Sequence, residues 1–261
     1  MVKLSIITTV LNSADTIQTC IESVRNQHQP VEHIIIDGGS TDGTLEIIEE
    51  YRSRLAKVVS ERDEGIYDGM NKGLRLATGD IIGLLNADDV YAGPDILTKV
   101  AKVFNEEHVD SCYGDLVYVH PHNTEKVIRY WHSGSYSVRQ FYWGWMPPHP
   151  TFFVRRSVYE RYGLFNLDLG SAADYELMLR FLVKHRITTA YIPEILVKMR
   201  SGGMSNASLK RRLIANRNDR LAWKVNGLKP YPWTLYFKPL RKVGQYIFNK
   251  CGPVQVPNNP P

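Results

Sequence analysis

Apolar and polar positions change their period along the chain. LSIITTV (4–10) is a short β-branched apolar run, and Ile17, Cys20, Ile21 and Val24 follow it at helical spacing, so a strand leads into a helix. HIIID (33–37), then GGSTDGT, then Leu45, Ile48, Tyr51 and Leu55 repeat the unit, with Ser40 or Thr41 as the helix cap. KVVSE (57–61) with a helix near 66–76, and DIIGLLN (80–86) with a helix near 94–104, make the third and fourth units. Four apolar strands alternating with helices predict an α/β fold with a mainly parallel sheet, helices on both faces and ligands at the carboxyl ends of the strands.

After residue 105 the alternation weakens. CYGDLVYV (112–119) reads as another strand, and 130–150 is rich in aromatic and turn residues. A helix over about 172–185, a strand near 187–192 and a basic helix near 206–225 complete the body, so the division is a domain over 1–200 and a basic, aromatic helical extension and tail over 201–261. The last residues, PVQVPNNPP, are too rich in Pro and Asn for a packed element.

Composition narrows the class. With 261 residues and 43% hydrophobic content the chain can bury a sizeable core, which excludes a disordered segment. Cys20, Cys112 and Cys251 are odd in number and far apart, so a disulfide scaffold is excluded and a reducing compartment is the default. No run approaches the ~18 apolar residues of a membrane span, and MVKLSIITTV has no small-residue cleavage site, so Met1 reads as the mature start. The net charge of +5 conceals an asymmetry: residues 200–261 hold 12 Lys and Arg against the single acid Asp219, a balance of +11, which leaves −6 for the rest. An acidic body points to a metal or sugar site, and a basic tail to an anionic partner.

Asp37, Asp63, Asp68, Asp88 and Asp89 each follow a predicted strand or open the loop or helix after it, so a parallel sheet would gather them at one edge. Gathered carboxylates repel unless a cation or donor-rich ligand sits among them, and Mg²⁺ or Mn²⁺ prefers such oxygens. A single Asp at a strand end equally well caps a helix or closes a turn. The sharpest local feature is Asn86-Ala87-Asp88-Asp89, directly after the apolar run IIGLL.

Here the sequence resembles the family 2 glycosyltransferases of the GT-A fold, in the bacterial branch that builds surface polysaccharides and lipid-linked oligosaccharides. The resemblance runs from about Leu4 to Leu182 and rests on SIITTVLN, DGGSTDGT, SERDEGIYDGMNKG with ATGD, LNADD, HPTFFVRR and AADYELMLR, in that order. It implies a nucleotide-sugar half over 1–105 and an acceptor half over 106–200. Thr8 and Asn12 would lie beside the nucleotide, Asp37 would accept a hydrogen bond from the base, and Asp63, Asn71 and Lys72 would line the donor pocket. Asp88 and Asp89 would hold Mn²⁺ or Mg²⁺ against the diphosphate, with Asp88 also touching the donor. Asp174, in Ala173-Asp174-Tyr175-Glu176, would be the general base of an inverting displacement. Glu176 lies about 200° around a helix from Asp174, so both acids cannot face the donor. The resemblance further implies a UDP-linked donor, a glycan or lipid-linked acceptor, and a cytoplasmic site on the inner face of the membrane.

His149, pinned between Pro148 and Pro150, would contact acceptor, phosphate or metal, or be structural. Arg200-Ser201-Gly202-Gly203 reads as a mobile loop whose cation closes over the diphosphate, or as a surface turn. The aromatic run from Tyr130 to Trp145 suits sugar stacking or core packing. Tyr231, Trp233, Tyr236, Phe237, Tyr246 and Phe248, interleaved with Lys238, Arg241 and Lys242, suit an anionic membrane surface or a helix face packed on the body. Three positions depart from the family pattern: Gly38 and Asn86 stand where acids are frequent, and Met70 where Arg is. Two further readings stay open, a sugar nucleotidyltransferase and a non-catalytic membrane- or nucleic-acid-binding module using the tail. Against the first, the loop Leu11-Asn12-Ser13-Ala14-Asp15 has neither glycine nor cation; for the enzyme, no nucleic-acid partner is expected.

Overall fold

The four strand–helix units form where the periodicity puts them. The computed structural model describes residues 2–202 and 209–237. Strands β1 (Leu4–Val10), β2 (Val31–Asp37), β3 (Lys57–Ser60) and β4 (Ile81–Leu84) are parallel, in the order β3-β2-β1-β4. Helices α1 (Ile17–Arg25), α2 (Thr44–Glu50), α3 (Ile66–Leu76) and α4 (Ile96–Glu106) cover them. All of β1 is buried, which is why its sequence is continuously apolar or small. Ile7, Ile34 and Ile36 face Met70 and Leu74 of α3, whereas Leu4 and Ile6 face Cys20 and Val24 of α1 with Val100 and Phe104 of α4. A Cβ on Gly73 would lie 2.3 Å from Ile7 Cγ2, so glycine is what lets α3 press onto the sheet.

Beyond β4 the sheet is mixed rather than parallel. β5 (Asp89–Tyr91) pairs antiparallel with β9 (Thr189–Arg200), and β9 runs parallel to β6 (Ser111–His120). β7 (Asn123–Trp131) and β8 (Phe153–Arg155) both pair antiparallel with β6, and β8 joins this half to β4. The sequence pattern misses β5 and β8 because three residues show no period, and β7 because that strand is largely exposed and polar. The strand expected near 187–192 runs on to Arg200 because pairing with β6 and β5 extends it. The cap expected at Ser40 or Thr41 is displaced: Gly43 is the N-cap of α2, and Asp42 receives the Thr44 N–H and hydroxyl.

The shorter helices α5 (Val138–Tyr142), α6 (Arg156–Tyr162) and α7 (Ala173–Met178) close the second half. The helix expected over 172–185 is α7 followed by a widened turn over Leu179–Lys184. Helix α8 (Leu209–Val225) packs on α7 rather than standing apart: Ala222 and Trp223 are fully buried, and Trp223 Nε1 donates to Tyr175 Oη at 2.9 Å. Cys20 and Cys112 are buried free thiols. Among the described residues no helix is long and apolar enough to cross a membrane. Tyr246, Phe248, Lys238, Arg241, Lys242 and Cys251 lie outside the described residues.

Candidate active site

The acid pair sits where β4 gives way to β5. Asp89 is fully buried and its Oδ2 accepts from Asn86 Nδ2 at 3.2 Å, while Asp89 Oδ1 and Asn86 Oδ1 are enclosed without a protein partner. Burial, and secondarily the Asp88 charge, push the Asp89 carboxyl well above the usual range; the Asn86 amide and Arg200 oppose this. Burial also raises Asp88, against the Arg200 charge. Two desolvated acids and an unpartnered carboxylate oxygen form an arrangement that a hard cation would relieve, so these residues fit a divalent ion. Asp37 ends β2, Asp63 follows β3, and Asp88 and Asp89 follow β4, so these acids stand at the carboxyl ends of the parallel strands. Among the described residues no three His, Cys, Asp or Glu side chains come close enough to hold a metal, which leaves the pair.

Arg200 is held by protein groups. It ends β9, and its guanidinium donates to the Asp88 carbonyl at 2.7 Å, the Thr19 hydroxyl at 3.0 Å and the Pro121 carbonyl at 3.0 Å. All three nitrogens are engaged, so Arg200 fixes the main chain at Asp88.

Several residues expected to touch the nucleotide are engaged by protein groups. Thr8 is fully buried, its Oγ1 3.0 Å from His33 Nε2 and 3.9 Å from Cys20 Sγ, because a β1 side chain between two helix layers meets only protein. Asp37 is fully buried and accepts from the Gly39 and Ser40 N–H groups and from the Ser40 and Ser60 hydroxyls. Its oxygens are therefore committed to shaping the 38–41 turn. Asn71 is buried, with its amide committed to the main chain of Phe165. Lys72 pairs with Glu61 at 3.0 Å and Asp68 at 3.5 Å and donates to the Arg62 carbonyl, so its ammonium is held by protein groups.

Asn12 and Asp63 remain at the open edge. Asn12, exposed and with φ +48°, accepts from the Thr41 N–H at 2.9 Å and donates its own N–H to Ser40 Oγ at 2.8 Å, tying the loop after β1 to the loop after β2. Asp63 Oδ1 accepts the Gly65 N–H at 3.0 Å, and its Oδ2 lies 2.8 Å from where a Cβ on Gly38 would stand. That contact explains the glycine at position 38: an acid there would collide with Asp63 and add a like charge.

Across from the acid pair's half, Asp174 lies at the start of α7, half-buried. The Tyr175 N–H donates to its Oδ1 at 2.7 Å. Burial raises the Tyr67 phenol well above its usual range, and the charge of Asp174 and a hydrogen bond to it add to the rise. Burial lowers the His149 imidazole, and the Asp174 charge opposes that. Phe165 stands beside both neighbours, its ring 5.3 Å from Tyr67 and 5.8 Å from His149. His149 Nε2 is enclosed and has no protein partner. Glu176 turns the other way, buried against Arg180 at 3.0 Å and receiving Asn226 Nδ2 at 2.9 Å. Tyr67 and Phe165 carried no signal in the sequence, because their role is contact with residues about a hundred positions away.

The model of glycosyl transferase family 2 matches residues 5–163, and the chain belongs to that family. A PGL/p-HBAD biosynthesis glycosyltransferase of Mycobacterium tuberculosis is 29% identical over 216 residues, covering 80% of this chain and 82% of the relative. The structure of S. aureus TarS 1–349 in complex with UDP-GlcNAc superposes with a TM-score of 0.69 at 20% identity, over 90% of this chain and 69% of that one. The mannosyltransferase PcManGT from Pyrobaculum calidifontis, in complex with GDP-Man and Mn²⁺, gives 0.63 at 19% identity, over 94% and 70%. The fold is thus that of the GT-A glycosyltransferases, and the protein is a glycosyltransferase. Membership decides against the nucleotidyltransferase and the non-catalytic module.

Proposed function

We propose that this glycosyltransferase inverts the anomeric centre, depends on Mn²⁺ or Mg²⁺, and moves a sugar from a UDP-linked donor to a hydroxyl of a glycan or lipid-linked saccharide at the cytoplasmic face of a membrane. The observation that carries the reading is the buried Asp88–Asp89 pair with the unpartnered Asp89 oxygen. Asp88 and Asp89 would hold the ion, which when bound offsets negative charge on the departing diphosphate. Arg200 holds the Asp88 main chain, so the pair is positioned before the donor arrives.

Asp174 is the base of this reading. It takes the proton from the acceptor hydroxyl while that oxygen bonds to the anomeric carbon from the face opposite the leaving diphosphate. Tyr67 and His149 beside it exclude water on that side, and the enclosed His149 Nε2 offers a hydrogen bond to an acceptor or phosphate oxygen. Asn12 and Asp63, at the open edge, are the nucleotide-facing groups; Thr8, Asp37, Asn71 and Lys72 act by holding the pocket's shape. A UDP donor is supported by the TarS complex with UDP-GlcNAc. PcManGT, with GDP-Man, makes the base a matter for experiment.

Calorimetric titration of UDP, GDP and dTDP, each with Mn²⁺ and with EDTA, tests the reading. One nucleotide binding only with the metal supports it. Binding of none under either condition removes the donor site.

A further inference from the structure

Five large aromatic side chains stay outside the core, and four of them, Trp143, Tyr231, Trp233 and Phe237, form one patch. Trp143, Tyr231 and Trp233 are each 42% exposed, Tyr236 62% and Phe237 36%. The rings touch across two distant stretches of chain: Trp143 lies 5.9 Å from Trp233 and 5.3 Å from Phe237, and Tyr231 lies 5.2 Å from Trp233. Thr234 Oγ1 donates to the Tyr142 carbonyl at 2.7 Å, pinning the later segment to the end of α5. The patch is therefore preformed, and its neighbours Trp223 and Leu235, which point inward, already complete the core. Exposed aromatic surface of this extent marks an interaction face.

Charge identifies what covers it. No acid lies between Glu125 and Glu160, and after Glu194 the only one is Asp219, which is buried. The exposed cations Arg139, one turn before Trp143, and Lys224 and Lys229, on either side of the turn into Tyr231, flank the aromatic segments along the chain. A second copy of the chain would bring these like-charged segments together. Indole and phenol rings bordered by cations match the boundary between anionic headgroups and acyl chains.

We propose that this face seats on an anionic lipid bilayer, with Trp143, Trp233, Tyr236 and Phe237 entering the headgroup boundary. The proposal names the residues behind the membrane partner of the proposed function. It rests on that reading only for the purpose of the contact, which is to present a lipid-linked acceptor to the site.

The test is flotation of the full chain with phosphatidylcholine vesicles, with and without phosphatidylglycerol, alongside UDP binding on the same preparations. The protein should float with the anionic vesicles and not the neutral ones, with a blue shift of tryptophan emission. Trp143→Ser with Trp233→Ser should weaken the partition by roughly tenfold or more, the ratio expected for losing the burial of exposed indole surface. Tyr236→Ser, and Lys224→Glu with Lys229→Glu, change only exposed groups and should each lower anionic flotation with thermal unfolding unchanged. Flotation unaffected by these variants overturns the proposal. So does a switch from dimer to monomer, or loss of RNA binding, in variants that still float. Failure to bind UDP in a protein that floats normally would count against the donor reading and leave the bilayer contact standing.

Discussion

The side-chain amide of Asn71 and the main chain of Phe165 exchange two hydrogen bonds, Nδ2 to the carbonyl at 3.0 Å and the Phe165 N–H to Oδ1 at 2.9 Å. This pair joins α3 of the first half to the segment before α7, and so sets the Phe165 ring that meets both Tyr67 and His149. Asn71→Ala leaves two buried backbone groups without partners, a loss of about 2–5 kcal/mol. Urea unfolding should show it, and transfer should fall further than the folded fraction because Asp174's neighbours shift. Asn71→Asp should not rescue, since a carboxylate would face the Phe165 carbonyl.

Asp174→Asn keeps shape and removes the base. Transfer should fall by roughly 10²–10⁴-fold while UDP binding changes little. Asp88→Ala and Asp89→Ala should instead weaken the metal-dependent part of donor binding. Equal loss of donor affinity in all three variants would take Asp174 out of the base role.

Arg200 acts as a three-way clamp, so charge alone cannot replace it. Arg200→Lys keeps the cation but loses the planar fork that reaches Asp88, Thr19 and Pro121 together. Both Arg200→Lys and Arg200→Met should cost about 2–4 kcal/mol of stability and weaken metal-dependent donor binding, read by thermal unfolding and calorimetry. Full rescue by Lys would show that the cation acts on the ligand directly.

Acid should destabilise the fold in two windows. Burial lowers the His33 imidazole from 6.5 to about 3, so the native state holds it neutral beside Thr8. Below pH 6.5 the unfolded chain binds a proton that the native state does not. Stability therefore falls as pH drops from 6.5 towards 3, at up to about 1.4 kcal/mol per pH unit. Glu32 behaves as a depressed acid: burial opposes its ionisation, but the Ser5 and Thr78 hydrogen bonds and Lys3 outweigh it and bring the carboxyl from 4.5 to about 2. Its contribution is whole above pH 4.5 and is lost as pH falls towards 2. Urea midpoints between pH 4.5 and 7.5 should slope in the wild type and slope less steeply in His33→Gln.

Much of the first half was legible because β1 to β4 and their helices each carry a local period, and a buried parallel strand has to be apolar along its whole length. The motif around Asn86–Asp89 was legible for a related reason: a strand running straight into acids leaves them at the sheet edge. Local pattern does not report which atoms are already committed. Thr8, Asp37, Asn71 and Arg200 looked like ligand-facing groups in their motifs, and the structure commits each to protein partners, because a buried polar atom has to be paired wherever the chain folds back on it. The sequence by itself determined the strand–helix order, the acid pair and the basic end of the chain, all properties of neighbours within a few residues. Only the tertiary structure decided the mixed half of the sheet, the Tyr67–His149–Phe165 surround of Asp174 and the joining of Trp143 to Trp233. These depend on contacts between residues roughly 20 to 110 positions apart, and no local pattern encodes such pairings.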